Sequence, residues 1–136
     1  MAVLARARAA DIQHAAREVL PAWTRLRGPE LGLVMMQGRA GGTGQAFNVG
    51  EATVARCTVR TPDGLVGHAY SLGRDLDQVE WAAALDAYLQ HPDWHGRLQN
   101  EVIAPLAARQ AEARAQTARR AAAPQVQFFT MATMRS

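Results

Sequence analysis

The sequence predicts an α+β domain: an antiparallel sheet of about four to five strands, with N-terminal and C-terminal helices packed mainly on one face. Three observations carry that expectation. β-type runs lie in the middle of the chain, between helical segments. One pair of runs is joined by "RTPDGL", a strong hairpin turn. A helix rich in alanine follows, and its small face matches a small-residue face of the hairpin. At 136 residues and 49% hydrophobic, the chain fits one compact domain, residues 1–136. A domain of this size buries enough surface to hold a core without disulfide or metal.

The N-terminal segment, 1–27, reads as helical. It is alanine-rich from Ala2 to Arg25, with Ile12, Ala15, Val19 and Leu20 near helical spacing, and Pro21 should end or bend it. Gly28-Pro29 marks a break. The sheet core then spans 30–73. "ELGLVMMQGR" reads as a strand apolar on both faces, which suits a central place in the sheet. "QAFNVGEATVARCTVR" reads as one bent strand or two short ones, with Gly50 as the bulge or bend.

The hairpin register follows from the turn. "RTPDGL" has type I turn chemistry with a glycine bulge at Gly64, so Val54–Thr61 should pair with Leu65–Leu72. Thr61 then pairs with Leu65, Thr58 faces His68, and Arg56 faces Tyr70. One face carries Arg56, Thr58, Arg60, Val66, His68 and Tyr70. The other carries Ala55, Cys57, Val59, Leu65, Gly67 and Ala69. A polar-aromatic face opposite a small apolar face is what a sheet covered on one side requires.

Helices occupy 75–122. Asp75 fits the N-cap of the first, Gln78 completes a capping box, and Pro92 closes it. A second helix runs from about Asp93, with Trp94, Leu98, Val102 and Leu106 near helical spacing, and should kink or restart at Pro105. A polar helix continues to Pro124. "QVQFFTM" then supplies a short β-type run at 125–131, an edge strand or an arm on a partner.

Composition narrows the chemistry. All fifteen basic residues are arginine, so a P-loop lysine, a Schiff base and a lysine general base are excluded. Any anion must be held by arginine or by backbone N–H groups. The single cysteine, Cys57, allows no internal disulfide and suits a reducing compartment. No run of apolar residues is long enough to span a membrane, and the N-terminus mixes charges into its first turns. These features suit a soluble cytoplasmic protein. From Arg109 onward five arginines stand against one acid, Glu112. That segment reads as a solvated helix face or a partner surface. A nucleic-acid module is the weaker reading, because no aromatics are interleaved with the arginines.

Residue constellations for catalysis are sparse. "GRAGGTGQAF" follows an apolar run, yet it lacks the Lys-Ser/Thr pair of a P-loop and the third glycine of a dinucleotide fingerprint. It remains a tight turn or a nest of N–H groups near Arg39 able to hold an anion. Cys57 and His68 fall on opposite sheet faces in the predicted register, which disfavours a nucleophile–base dyad. His91 and His95 are separated by Pro92, and no set of residues resembles a metal site. Arg56 and Arg60, on alternate strand positions, suit a shared phosphate or a partner's carboxylates, or simply face solvent. No self-sufficient active site emerges, which favours a subunit.

Three strings together, "RAGGTGQAFNVGEATVARCTVR", "DGLVGHAYSLGRD" and the terminal "VQFFTM", resemble the PhnG family of bacterial carbon–phosphorus lyase subunits over roughly residues 30–131. The resemblance implies a core complex with PhnI, PhnH and PhnJ. It implies participation in the step in which an alkylphosphonate displaces adenine from ATP, giving alpha-D-ribose 1-methylphosphonate 5-triphosphate. ATP and alkylphosphonate would be substrates of the complex, with no cofactor on this chain and no catalytic residue assigned to it. The positions matching the family pattern include Arg39, Gly41, Gly42, Thr43, Gly44, Phe47, Gly50, Glu51 and Arg56, with Phe128, Phe129 and Thr130 at the end. The first group, with Arg60 beside it on the strand, is expected at a partner interface or near a partner's active site. The terminal Phe-Phe-Thr is expected to dock on a partner. A subunit serving only assembly is the alternative.

Overall fold

The computed structural model describes residues 1–122. Its elements run α1 (Ala2–Arg6), α2 (Ala9–Ala16), β1 (Thr24–Arg39), β2 (Ala46–Arg60), β3 (Val66–Leu72), α3 (Leu76–Leu89), α4 (Pro92–Leu98) and α5 (Ala104–Ala122). The α+β class holds, but the described residues form a sheet of three antiparallel strands in the order β1-β2-β3, not four to five. Gly50 does not divide β2. The pairs Met36↔Gly50 and Gln37↔Asn48 flank a bulge at Val49, and the strand continues through it. The run at 125–131, with Phe128, Phe129 and Thr130, lies outside the described residues.

Two expectations at the N-terminal side are corrected. Helix does not extend to Arg25: α2 ends at Ala16, and β1 begins at Thr24. Tertiary contacts outweigh the local helical pattern there. Arg25 makes a two-pronged ion pair with Glu80 of α3, Nε to Oε1 at 2.8 Å and an NH₂ group to Oε2 at 2.7 Å, and Trp23 Nε1 donates to the same carboxylate at 3.1 Å. Gly28-Pro29 is not a break either. It lies inside β1, where the register shifts between Arg25 and Arg27 and again across Arg27–Glu30. Gly28 takes φ +70°, and an added Cβ would stand 2.8 Å from the Arg56 carbonyl, so only glycine fits this irregularity.

A further correction concerns the place of β1. Among the described residues it is an edge strand, not the central one. Its apolar residues remain exposed because the helical layer covers mainly β2 and β3.

The hairpin forms in the predicted register, with Thr58 opposite His68 and Arg56 opposite Tyr70. Thr61 N–H donates to the Leu65 carbonyl at 2.9 Å, Gly64 N–H closes the turn on Thr61 O at 2.9 Å, and Gly64 adopts φ +89°. The two faces divide as the sequence implies: Ala55, Cys57, Val59 and Ala69 are buried, while Arg60, His68 and Tyr70 are exposed. Contact with α3 is very close at Gly67, where a Cβ would lie 2.0 Å from the Ala83 carbonyl oxygen. The alanines of α3 make that approach possible, and Ala82, Ala83, Ala84 and Ala87 are all buried.

Asp75 caps α3 by accepting from Gln78 N–H at 3.0 Å. The reciprocal arm of the expected capping box is absent. Gln78 is buried and donates its Nε2 instead to the Leu4 carbonyl at 2.6 Å, tying α1 to α3. Pro92 opens α4 at its first turn, where its missing N–H costs nothing. A π-helical turn, Gln99–Ile103, separates α4 from α5 directly ahead of Pro105. The proline has no N–H for the carbonyl four residues back, and the widened turn absorbs that loss. Leu98, Val102 and Leu106 reach the core, which joins α1, α2, β2 and α3 in one cluster.

Candidate functional site

The predicted site residues fall into two groups that the fold keeps apart. The first sits at the tip of the β1–β2 ribbon. Arg39 ends β1, a short 3₁₀ turn covers Ala40–Gly42, and Ala46 begins β2. Gly41 (φ +64°) and Gly42 (φ +76°) both take the left-handed conformation, which glycine adopts without steric cost. An added Cβ would meet nothing at either position, so the tip stands in open space. Gly44 is required for another reason: its Cβ would lie 2.6 Å from the Ala40 carbonyl. That carbonyl accepts from Gly44 N–H at 3.1 Å and from Thr43 N–H as well. Two amides of the expected nest are therefore already bonded within the loop. The Arg39 guanidinium and the Thr43 hydroxyl take no part in the side-chain hydrogen bonds or ion pairs of the described residues. They are the loop's free handles.

The second group lies on the uncovered sheet face. Glu30 accepts from Arg27 Nε at 2.6 Å and from Arg56 Nε at 2.7 Å through the same oxygen. The hydrogen bonds from Arg56 and then Arg27 hold its carboxyl below the ordinary carboxylate range. Arg56 is thus partly committed, while Arg60 stands exposed four residues on along the same face. His68 Nδ1 and Thr58 Oγ1 approach to 3.1 Å nearby. Ten residues separate Ala46 from Arg56 along β2, up to roughly 33 Å of extended strand. One small ligand cannot bridge the tip and this cluster. Glu51 lies between them, exposed and paired with Met35.

The remaining candidates are structural. Cys57 and His68 occupy opposite faces as predicted, and burial, aided by the Glu80 charge, pushes the Cys57 thiol up to about 11. His91 caps α4 by accepting from Asp93 N–H at 3.1 Å, and His95 Nδ1 contacts the Leu89 carbonyl at 2.7 Å. Among the described residues, no three His, Cys, Asp or Glu side chains gather as a metal would require. No helix among them is long and apolar enough to cross a membrane.

Sequence reasoning missed one feature of the site, the ribbon itself. Leu33 is 66% exposed, Met35 54%, Phe47 52% and Val49 63%. The signal was present in an uncharged run, Leu31–Gly38, apolar on both faces. The same pattern suits a central strand, the place the sequence alone suggests for it.

A small α+β chain that presents its arginines and its apolar ribbon outward, with no enclosed catalytic cluster among the described residues, has the character of a subunit working against a partner's surface. Comparison with known proteins gives that class a family. The chain belongs to the PhnG family: the model described as "Phosphonate metabolism protein PhnG" matches residues 1–134. A similar protein from Rhizobium meliloti (strain 1021), named alpha-D-ribose 1-methylphosphonate 5-triphosphate synthase subunit PhnG, is 42% identical over 136 residues, covering 96% of this chain and 85% of the relative.

Proposed function

We propose that this chain is a subunit of an alpha-D-ribose 1-methylphosphonate 5-triphosphate synthase, needed when an alkylphosphonate displaces adenine from ATP. Family membership and the relative's name support the subunit role. PhnI-, PhnH- and PhnJ-like proteins are its partners, in the cytoplasm, and the chain brings no cofactor of its own. The observation that carries the finer reading is the tip loop. It ends a long two-stranded arm, with the Arg39 guanidinium and Thr43 hydroxyl taking no side-chain hydrogen bond or ion pair among the described residues. Such an arm suits a loop that enters a neighbour's nucleotide site and places a guanidinium and a hydroxyl against phosphate oxygens.

The chemical contribution is electrostatic. Arginine is always charged, and its planar fork matches a phosphate in a way no neutral group does. It would offset charge on the triphosphate or the attacking phosphonate while a partner's residues carry proton transfer. Arg56 and Arg60, distant from the tip, serve a partner contact in this reading. The double variant Arg39→Ala with Thr43→Val in the reconstituted complex tests it. Loss of charge-assisted hydrogen bonds worth about 1.5–3 kcal/mol lowers adenine release roughly 10- to 100-fold, while assembly is retained. If release and assembly are both unchanged, the chain is an assembly subunit and the loop is only a turn.

A further inference from the structure

We infer that the bare edge of β1, between Leu31 and Gly38, receives a β-strand from another subunit of the synthase, and that this partner covers both faces of the ribbon with apolar side chains. The inference rests on the subunit role proposed above and names the surface through which it is exercised.

The two edges of the sheet are finished differently. At the β3 edge, α3 supplies side chains to the outward backbone: His68 N–H donates to the Asp86 carboxylate at 3.0 Å, and Gln90 Nε2 donates to the Val66 carbonyl at 2.8 Å. Those contacts occupy the edge at Val66 and His68. At the β1 edge, no backbone or side-chain group of the described residues bonds the outward groups from Leu31 to Gly38. Two of the usual guards, charge and proline, are also missing. That stretch contains no charge and no proline. Its pairing with β2 is regular from Glu30↔Arg56 through Met36↔Gly50, with irregularities only beyond each end. An apolar edge that is regular from Glu30 to Met36 and carries neither charge nor proline from Leu31 onward is a template for strand addition.

The faces decide what kind of occupant fits. Side chains alternate along a strand, and Leu31, Leu33 and Met35 stand opposite Ala55, Thr53 and Glu51 on the helix side. Val34, Met36 and Phe47 occupy the open side. All six are exposed. On the helix side a groove of about 210 Å³ runs beside them, lined by Leu31, Gly32, Leu33, Thr53 and Arg74. A second copy pairing β1 to β1 would satisfy the edge and nothing else. Its α3 lies over its own β2 and β3, so both ribbons would stay wet on both sides. The strip buried would fall well short of the roughly 800 Å² per partner of a stable interface. The chain's own terminal run, residues 125–131, is too short to bring covering layers beside an added strand. It also departs from α5, whose residues from Ala111 to Ala122 are all exposed. Only a folded partner, with apolar layers flanking its added strand, satisfies edge and faces together.

The test uses the reconstituted complex with Leu33→Lys and Val34→Lys made separately, one on each face. Both positions are exposed, so each variant chain keeps its melting temperature. Each substitution places a charge in an apolar contact and should reduce recovery of partner subunits by about tenfold or more. Hydrogen exchange on the wild-type complex should show alternate amides between Leu31 and Gly38 becoming protected on assembly. Partner recovery at the wild-type level with both variants overturns the inference. So does a free chain that is dimeric and becomes monomeric with either variant while complex recovery is unaffected. Protection of these amides in the free chain that disappears on removing residues 124–136 overturns it too, assigning the edge to the chain's own tail. If the variants assemble normally while Arg39→Ala with Thr43→Val abolishes adenine release, this inference falls and the proposed function stands. If the wild-type chain recovers no partner, both fall.

Discussion

Gly67→Ala places one methyl group where α3 and β3 are already in contact. Its Cβ would stand 2.0 Å from the Ala83 carbonyl oxygen, 2.5 Å from the Ala87 amide nitrogen and 2.8 Å from the Ala87 Cβ. Ordinary contact begins near 3.4 Å, so the helix backbone has to lift by about 1.4 Å at this point. Two of the three atoms are backbone and cannot rotate away. A gap of that size along the α3–sheet contact also forfeits much of the dispersion energy of Ala83, Ala84 and Ala87, since a 0.5–1 Å gap already removes about a quarter to a half of the attraction. The cost belongs at the upper end of the overpacking range, about 3 kcal/mol. At about 2–4 °C per kcal/mol for a domain of this size, the melting temperature should fall by roughly 6–12 °C. Thermal and urea unfolding followed by circular dichroism measure it. A variant within about 0.5 kcal/mol of wild type would refute the close seating of α3 on the sheet.

Three other outcomes follow from the same geometry. Glu80→Gln should destabilise the domain by about 1–2 kcal/mol at pH 7, because it removes the charge that Arg25 grips, discounted for the exposed arginine. Burial pushes the Glu80 carboxyl up, but the hydrogen bonds from Arg25 and Trp23 outweigh it and leave it below the ordinary range. Its stabilisation is therefore complete above the unfolded value, near pH 4.3, and lost as pH falls through the lower folded value. Wild type and variant should converge in urea melts in acid; a difference that grows on acidification contradicts the ion pair. Cys57, with its thiol raised to about 11, should resist alkylation at pH 7 until the domain unfolds, so labelling should track the unfolding rate; rapid labelling of the native chain would place it elsewhere. Thr61→Val removes the hydroxyl that accepts from Leu65 N–H at 3.1 Å at a buried turn residue. It should cost about 1–2 kcal/mol, read in the same urea melts, and a neutral result would show that the turn does not depend on this bond.

Much of the fold was legible because local chemistry and long-range packing agree where it matters. The Pro-Asp-Gly turn sets the hairpin register, the register sorts Cys57 from His68, and small residues at Gly67 and along α3 announce a close helix–sheet contact. The strings around the Gly-rich loop carry the family resemblance. What stayed hidden depends on distant partners. Thr24–Arg27 look helical beside the alanines before them, and distant partners hold them extended: the backbone of Thr58–Arg60 on β2 and Glu80, 55 residues from Arg25. The run Leu31–Gly38 is apolar on both faces, and two physical situations produce that pattern: a strand buried between neighbours, or an edge awaiting one. Nothing local separates them. The candidate residues likewise form one string in sequence, yet strand geometry puts Arg56 and Arg60 far from Arg39 and Thr43.

The most direct measurement is hydrogen exchange on the loop from Arg39 to Ala46 in the assembled complex, with and without ATP and methylphosphonate. A loop that faces the nucleotide should become protected when substrates bind, and the protection should disappear in Arg39→Ala with Thr43→Val. Exchange at the tip that is identical with and without substrates, in a complex that turns over normally, would contradict the placement of this loop at a partner's nucleotide site.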